Sequence, residues 1–503
     1  MIHSVLQPWQ TALQSLCRFF HRHWTTLRHF VLRTKNRFFP FWRPRWPLTT
    51  WQRDELEEAF VESISKSAVA ALASRYNGNK ECVVDDELRN GSYNVCVFVT
   101  FPADGTRWVV RIPMTPLVAD GWTKLKSEVA TMRYLQQNTT IPIPKIHAYG
   151  KGEFLTTDKR TTQEFLIMDL VPGKTLDLDT LCASAQDIQD RFFAEFVGIL
   201  AQLHDLEFPH TGSLYPDPDS ADEERYIIGP SLYLLENDME VEAGLRREVA
   251  PALRTTREII KYLHALLEDF SDLPTFGVVA SDSRERVFAR AKFAELLPKY
   301  CSLSLDPQPL ALSHADLRCG NILVDDDFRI QGVIDWEWVT ILPRQFCTPP
   351  LWICGLDTDM RDNTRTFSRR FVSRDKIFEA FQRAASSDDK YKEYNKYLTF
   401  WKEDQLCLPM SFILRSPHFL LYMYFGHIYD AMYENSFDKE APAFFASEDM
   451  QKKLEHRRET SRRYVDYLKQ EGLYKVEEKH LRMRSHLEKM EKFFAETEAL
   501  LAR

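Results

Sequence analysis

The segment Ser313-His314-Ala315-Asp316-Leu317-Arg318-Cys319-Gly320-Asn321 sets a carboxylate and a carboxamide five residues apart, directly before the apolar run Ile322–Val324. Asp335 follows fourteen residues after Asn321, inside Val333-Ile334-Asp335-Trp336-Glu337. These residue types suit phosphoryl transfer. One carboxylate, Asp316, can orient an attacking hydroxyl and accept its proton. Asn321 and Asp335 can supply hard oxygen ligands to Mg²⁺, which bridges phosphate oxygens and offsets their charge. Any one of these residues alone would be read as a turn cap or a strand end. The spacing of the whole set makes the chemical reading specific.

Such a set needs a loop, a hairpin and a partner lobe to hold it. Ile322–Val324 and Ile330–Ile334 flank Asp325-Asp326-Asp327 and predict a hairpin between the two candidate metal ligands. Upstream, Gln52–Arg75 reads as one helix, and Glu81–Leu88, Tyr93–Phe101 and Arg107–Ile112 read as strands. Tyr93, Val95, Val97, Val99 and Phe101 share one face of the second, and Pro102–Gly105 turns it into the third. A helix is expected over Trp122–Gln137. The prolines of Ile141–Pro144 end it, and further strands are expected near Lys145–Gly150 and Glu164–Asp169. From residue 187 the patterning is helical, with helices expected over Phe192–Leu206, Leu253–Phe270, Arg284–Tyr300 and much of 371–503.

The 313–337 segment resembles the catalytic and metal-binding loops of the aminoglycoside phosphotransferase family, relatives of choline and fructosamine kinases. That resemblance covers roughly 80–360. It implies an α+β, two-lobed protein-kinase-like fold: a small antiparallel-sheet lobe (51–170) and a large, mainly helical lobe (171–360). These would lie between an N-terminal segment (1–50) and a C-terminal helical region (361–503). It further implies ATP and Mg²⁺ as cofactors, with Asp316 as catalytic base, His314 as the structural histidine of the catalytic loop, and Asn321 and Asp335 as metal ligands. Gly91 and Ser92, in Arg89–Asn94, match the loop that covers the phosphates, although it holds a single glycine. Arg111, in Trp108–Ile112, stands where the family has a phosphate-binding Lys, and Glu128 matches its helix-borne partner. Met168, Asp169 and Val171 match the segment joining the lobes, whose backbone contacts adenine. His204 reads as a packed structural histidine.

Composition bounds the alternatives. The chain has 503 residues, 44% hydrophobic and 27% charged, a soluble globular profile. Its net charge is −8, with +8 in residues 1–50 and +3 in 361–503, so 51–360 carries −19. An acidic body opposes nucleic-acid binding, which needs a basic face. Nine cysteines without a CxxC pair fit a reducing, intracellular compartment and suggest neither a disulfide framework nor a zinc site. No apolar run is long enough to span a bilayer. In residues 1–46, apolar Val5, Trp9, Leu13, Leu16, Phe20, Trp24, Leu27 and Val31 recur at helical spacing among arginines, without acids. This pattern suits a mitochondrial presequence, a peripheral membrane helix, or a helix packed on the core.

The function expected is therefore an ATP- and Mg²⁺-dependent kinase acting on a small-molecule hydroxyl. The competing expectation is a kinase-like nucleotide-binding scaffold with little or no catalysis, favoured by Arg111 and the thin phosphate loop. A protein kinase is disfavoured, because Asp335 is followed by Trp-Glu and no Ala-Pro-Glu appears beyond it. Aminoglycosides are polycations and call for concentrated carboxylates, whereas the C-terminal helices are charge-balanced.

Overall fold

The computed structural model describes residues 46–220, 224–274, 280–302, 309–353, 367–403 and 406–475. The basic amphipathic helix expected over 1–46 falls outside them except for Trp46, as does the helical pattern expected beyond residue 475.

The small lobe opens with two helices, α1 (Thr50–Ser63) and α2 (Lys66–Tyr76), where one had been expected from Gln52 to Arg75. Ile64 takes an extended conformation, and the Ser65 side chain caps the second helix by accepting from the Ala68 amide. A local serine cap thus breaks a pattern that apolar spacing alone reads as continuous. The expected strand over Glu81–Leu88 is mostly irregular and contributes only β1 (Val83–Val84); β2 (Arg89–Asn90) follows it. The long strands are β3 (Asn94–Phe101) and β4 (Thr106–Pro113), joined by a turn in which Gly105 has φ 71°. Then come α3 (Gly121–Asn138), β5 (Ile146–Glu153) and β6 (Gln163–Asp169). The sheet runs β1-β3-β4-β6-β5, with β2 paired to β3, and all of its pairings are antiparallel.

Alternation along β3 and β4 divides the lobe. Val95, Val97, Val99, Phe101, Val110 and Ile112 are fully buried against α1 and α2. Val109 packs on the opposite side with Leu125 and Val129 of α3. Arg111 shares the parity of Val109 and so faces the space between the lobes.

The large lobe begins after β6 with β7 (Lys174–Thr175), α4 (Leu178–Ala183) and α5 (Gln186–Asp205). It continues through a two-stranded ribbon, β8 (Ser213–Pro216) and β9 (Tyr226–Gly229), and helices α6 (Leu234–Ala243), α7 (Thr256–Asp272) and α8 (Ala280–Ser302). Next are β10 (Leu310–Ser313), β11 (Ile322–Val324), β12 (Ile330–Val333) and β13 (Thr340–Pro343), then α9 (Phe367–Ser386), α10 (Lys392–Glu403) and α11 (Cys407–Arg415). The β11–β12 hairpin forms as expected, and β7 adds to its edge. Helical residues as late as Leu454 share one core with α5 and α7.

The lobes meet across the cleft and at its edges, and two of the junctions lie away from the cleft. One is the chain crossing after β6. The other lies around α6: the Leu48 amide donates to the Glu242 carbonyl at 2.9 Å and Arg53 pairs with Glu242 at 2.5 Å. There too the Tyr93 hydroxyl donates to Asp238 at 2.8 Å, and Asn237 accepts from the Ala119 amide at 2.9 Å. The start of this strap is pinned in turn, because the Tyr464 hydroxyl donates to the Pro47 carbonyl at 2.9 Å.

Candidate active site

A cavity of ≈ 1570 Å³ lies between the lobes. Its lining includes Gly91, Ser92, Arg111, Met168, Asp169, Val171, His314, Asp316, Asn321 and Asp335, so ten of the eleven expected site residues share one space. The eleventh, Glu128, sits behind Arg111.

The catalytic loop is held from within. His314 is buried; its Nδ1 accepts from the Asp316 amide at 3.1 Å, and its Nε2 lies 3.2 Å from the Ile334 carbonyl. The first bond makes Nδ1 the acceptor, so the proton sits on Nε2 and is donated to Ile334. Burial, partly offset by the Asp335 charge, depresses its pKa to about 4, which keeps the ring neutral in that role. Asn321 ends a 3₁₀ turn, and its Nδ2 donates to the Asp316 carbonyl at 2.7 Å. The same nitrogen lies 3.3 Å from the Asp316 carboxylate. With Nδ2 used this way, its Oδ1 is the atom left to face a cation. Asp316 is half exposed to the cavity and pairs with Arg318 at 3.0 Å. Burial raises its pKa above the ordinary aspartate value, and the Arg318 charge opposes that rise.

Asp335 follows β12 with φ 68°, a left-handed conformation that non-glycine residues seldom adopt. Strain of this kind persists where the surroundings over-determine it. Arg111 contacts the Asp335 side chain there. One of its Nη atoms donates to Glu128 at 2.7 Å; the other is ion-paired with Asp335 and lies 3.1 Å from Glu337. Arg111 is 6% exposed, so its side chain lies inside the protein. Burial would lower its pKa, but the three carboxylates outweigh that and keep it charged. At Asp335 burial likewise favours the neutral acid, and Arg111 overrides it, so the carboxylate stays ionised.

A second cation belongs to this cluster and was not singled out from the sequence. Lys124, only 1% exposed, projects from α3 one turn before Glu128, ion-pairs with Glu337 and donates to Asn94 Oδ1 at 3.1 Å. Asn94 Nδ2 returns a bond to Glu337 at 2.7 Å. The Lys124/Glu128 spacing of four places both on one helix face, and Trp-Glu after Asp335 was conspicuous; together these were the available signals. Two cations, Arg111 and Lys124, thus face three carboxylates, Glu128, Asp335 and Glu337, in a buried cluster. Among the described residues, no group of three His, Cys, Asp or Glu is arranged to hold a metal by itself. Mg²⁺ does not need one, since it keeps waters and substrate phosphates and takes only one or two protein oxygens. The Asn321–Asp335 pair fits that requirement.

Around the cavity the remaining expectations find their places. Met168 and Asp169 close β6, where the Asp169 carboxylate accepts from His147 Nε2 at 2.5 Å. Gly173 beyond Val171 has φ 109°, and a Cβ there would lie 2.5 Å from the Val324 carbonyl, so only glycine permits the close approach to β11. His204 packs edge-on against Tyr394 and Tyr397, and burial drops its pKa to about 3, which makes it a neutral core residue.

Residues 87–346 match the phosphotransferase enzyme family. The chain belongs to it. Subtelomeric hrmA-associated cluster proteins from two Aspergillus fumigatus strains are 26% identical over 303 residues, covering 51% of this chain and 58% of theirs. The match therefore spans little more than half the length of those relatives. Clavilactone A biosynthesis cluster protein Y of Ampulloclitocybe clavipes is 26% identical over 325 residues, 61% of this chain and 72% of its own. Among solved structures, Plasmodium vivax ethanolamine kinase aligns with 13% identity and a TM-score of 0.40, over 81% of this chain and 94% of that one. ADP-bound aminoglycoside phosphotransferase APH(2″)-Ib aligns with 14% identity and a TM-score of 0.36, over 78% and 99%.

Proposed function

We propose that the protein transfers the γ-phosphoryl group of ATP to a hydroxyl of a small molecule, with Asp316 as base. The observation that carries this reading is the bonded catalytic loop. Asn321 and His314 fix the backbone of Asp316 from both sides while its carboxylate stays open to the cavity. Asp316 accepts the hydroxyl proton; its raised pKa makes it a better acceptor than an exposed aspartate. Asn321 Oδ1 and the Asp335 carboxylate would hold Mg²⁺, which when bound supplies charge neutralisation across the phosphates. Arg111 orients Asp335 and presents a fixed positive charge to the cavity. Its planar fork can contact carboxylate and phosphate in a bidentate way. Gly91 and Ser92 cover the phosphates, and the backbone at Met168–Val171 meets adenine. A name tying one relative to a biosynthetic cluster accords with a small-molecule acceptor.

A second reading, a nucleotide-binding scaffold with little catalysis, draws on the Arg111–Asp335 ion pair, because a guanidinium on the metal-ligating carboxylate competes with the metal. Melting curves with ATP, Mg²⁺ and both, followed by ATP-consumption assays on a hydroxyl-compound panel, separate the two. Mg-ATP at 100 times its Kd should stabilise the fold by ~2.7 kcal/mol, with ATP alone giving far less. Turnover of any acceptor favours the kinase. Strong stabilisation with no turnover favours the scaffold, and an unchanged melting curve rejects both.

A further inference from the structure

The acceptor side of the cavity has a charge pattern that the phosphotransferase reading does not itself require. The carboxylates lining the cavity fall into two groups: Asp169, Asp177 and Asp179 along the crossing between lobes, and Asp316, Asp335 and Glu337 in the catalytic set. The wall built from residues 347–352 and 412–419 contributes none. It contributes Arg415 at the end of α11, among Trp352, Phe412 and Phe419.

Arg415 is a cation without a carboxylate partner among the described residues. Its Nη1 donates to the Phe346 carbonyl at 2.8 Å and its Nη2 to the His314 carbonyl at 3.3 Å. A guanidinium carries five donors, so these two bonds leave capacity for a further acceptor. Burial with no facing acid pulls its pKa below the ordinary arginine value. A partly desolvated cation without an anion is an unfavourable arrangement in the empty protein, and an anionic ligand would relieve it. The carbonyl that Arg415 holds lies two residues from Asp316, at most ~7 Å away along the chain. Arg415 and the base are therefore close enough to meet one small molecule at once. Trp352, whose indole donates to the Leu317 carbonyl at 3.1 Å, supplies a flat apolar surface beside the same loop. Arg318, half exposed and paired with Asp316, adds a second positive charge at the rim.

We propose that Arg415 binds an anionic group of the acceptor, a carboxylate or a phosphate, while the acceptor's hydroxyl lies at Asp316. The substrate class is a hydroxylated organic acid or phosphate ester with an apolar or aromatic body, and not an amino alcohol or an aminoglycoside. This inference rests on the phosphotransferase reading, and its test begins by checking that reading separately. The full-length protein is first titrated with Mg²⁺ and a non-hydrolysable ATP analogue; failure to bind here defeats the phosphotransferase reading. The analogue then fills the γ-phosphate position, so that added anions report on the acceptor side alone.

Four probes are titrated into that complex by calorimetry: para-hydroxymethylbenzoate, the corresponding phenyl phosphate, the neutral benzamide and the cationic benzylamine. Saturable binding of the carboxylate or the phosphate, at least about tenfold tighter than the amide and the amine, is expected. The tighter of the two anions identifies the group. Arg415→Gln should remove about tenfold of that preference or more, with Arg415→Lys restoring part of it, while analogue affinity stays near that of the parent. The proposal is overturned if neither anion binds saturably, if the amine or amide binds as well as the anions, or if Arg415→Gln keeps the full preference. Should Arg415→Gln also lose the nucleotide analogue, its loss of anion binding reports a collapsed catalytic loop. The ranking of the four probes on the parent and on Arg415→Lys then decides.

Discussion

Arg111 is ion-paired with Asp335, so the residue in place of the family's strand lysine is joined directly to the candidate metal ligand. A lysine at that position would offer one compact ammonium, whereas the guanidinium reaches Glu128 with one nitrogen and Asp335 and Glu337 with the other. The sheet, the helix α3 and the segment after β12 are thereby closed through a single buried side chain.

Removal of that side chain should be felt twice. Arg111→Ala leaves Glu128 and Asp335 without their main counter-charge, and breaking a buried pair from one side costs ~3–5 kcal/mol. Urea unfolding should show a loss of this size, and Mg-nucleotide affinity should fall. Arg111→Lys should keep most of the affinity while losing part of the stability, because one nitrogen cannot span both carboxylates. An Ala variant that binds Mg-ATP like the parent would remove Arg111 from the phosphate site.

Asp316→Asn should lower turnover by ~10²–10⁴-fold and leave nucleotide affinity nearly unchanged, as expected for a base acting on the acceptor. Its stability should not fall at neutral pH. The folded pKa of Asp316 lies above its unfolded value, so its ionisation favours the unfolded chain as pH rises, and the amide escapes that effect. Parallel losses of binding and rate would instead make Asp316 a structural or metal residue.

The pH profile carries the same sign. Asp316 must be ionised to accept a proton, so kcat/KM should fall as the solution is acidified through a pKa above the ordinary aspartate value of ~3.9. Arg318 holds that pKa down. Arg318→Gln should therefore move the acidic limb to higher pH, and a limb that stays fixed would show that another group titrates.

Lys124 and Glu337 should be coupled. Each single change, Lys124→Met or Glu337→Gln, strands a buried charge, while the double change removes both. A double-mutant cycle read by thermal or urea unfolding should give a coupling energy within the ~0.5–3 kcal/mol typical of contacting residues, the double variant being more stable than additivity predicts. Additive losses would mean that the two side chains act separately.

Much of this arrangement was legible in residue order. The Asp316–Asn321–Asp335 spacing located the catalytic loop, and the period-two pattern of β3 located the strand beneath the phosphate loop. Two features escaped for different reasons. The break at Ile64 depends on a serine cap worth about 1 kcal/mol, too small to show against apolar spacing over two dozen residues. Lys124 looked like any solvated helix lysine. Its burial is decided by Glu337 and Asn94, which are distant in sequence and meet it only once the sheet, α3 and the segment after β12 have assembled. Arg415 was silent for the same reason: its lack of an anion is a property of its surroundings.

The strap from Pro47 to Arg53, tied to Glu242 and held by Tyr464, joins the lobes on the side of α6, apart from the crossing after β6. A jaw hinged at one edge can swing wide, but one fastened at the crossing, at the strap and through the Arg111 and Lys124 bonds to Asp335 and Glu337 resists that swing. Nucleotide entry and product departure would then proceed through a slot of nearly constant width. Shape selection at that slot would rest on side-chain motion more than on movement of whole lobes.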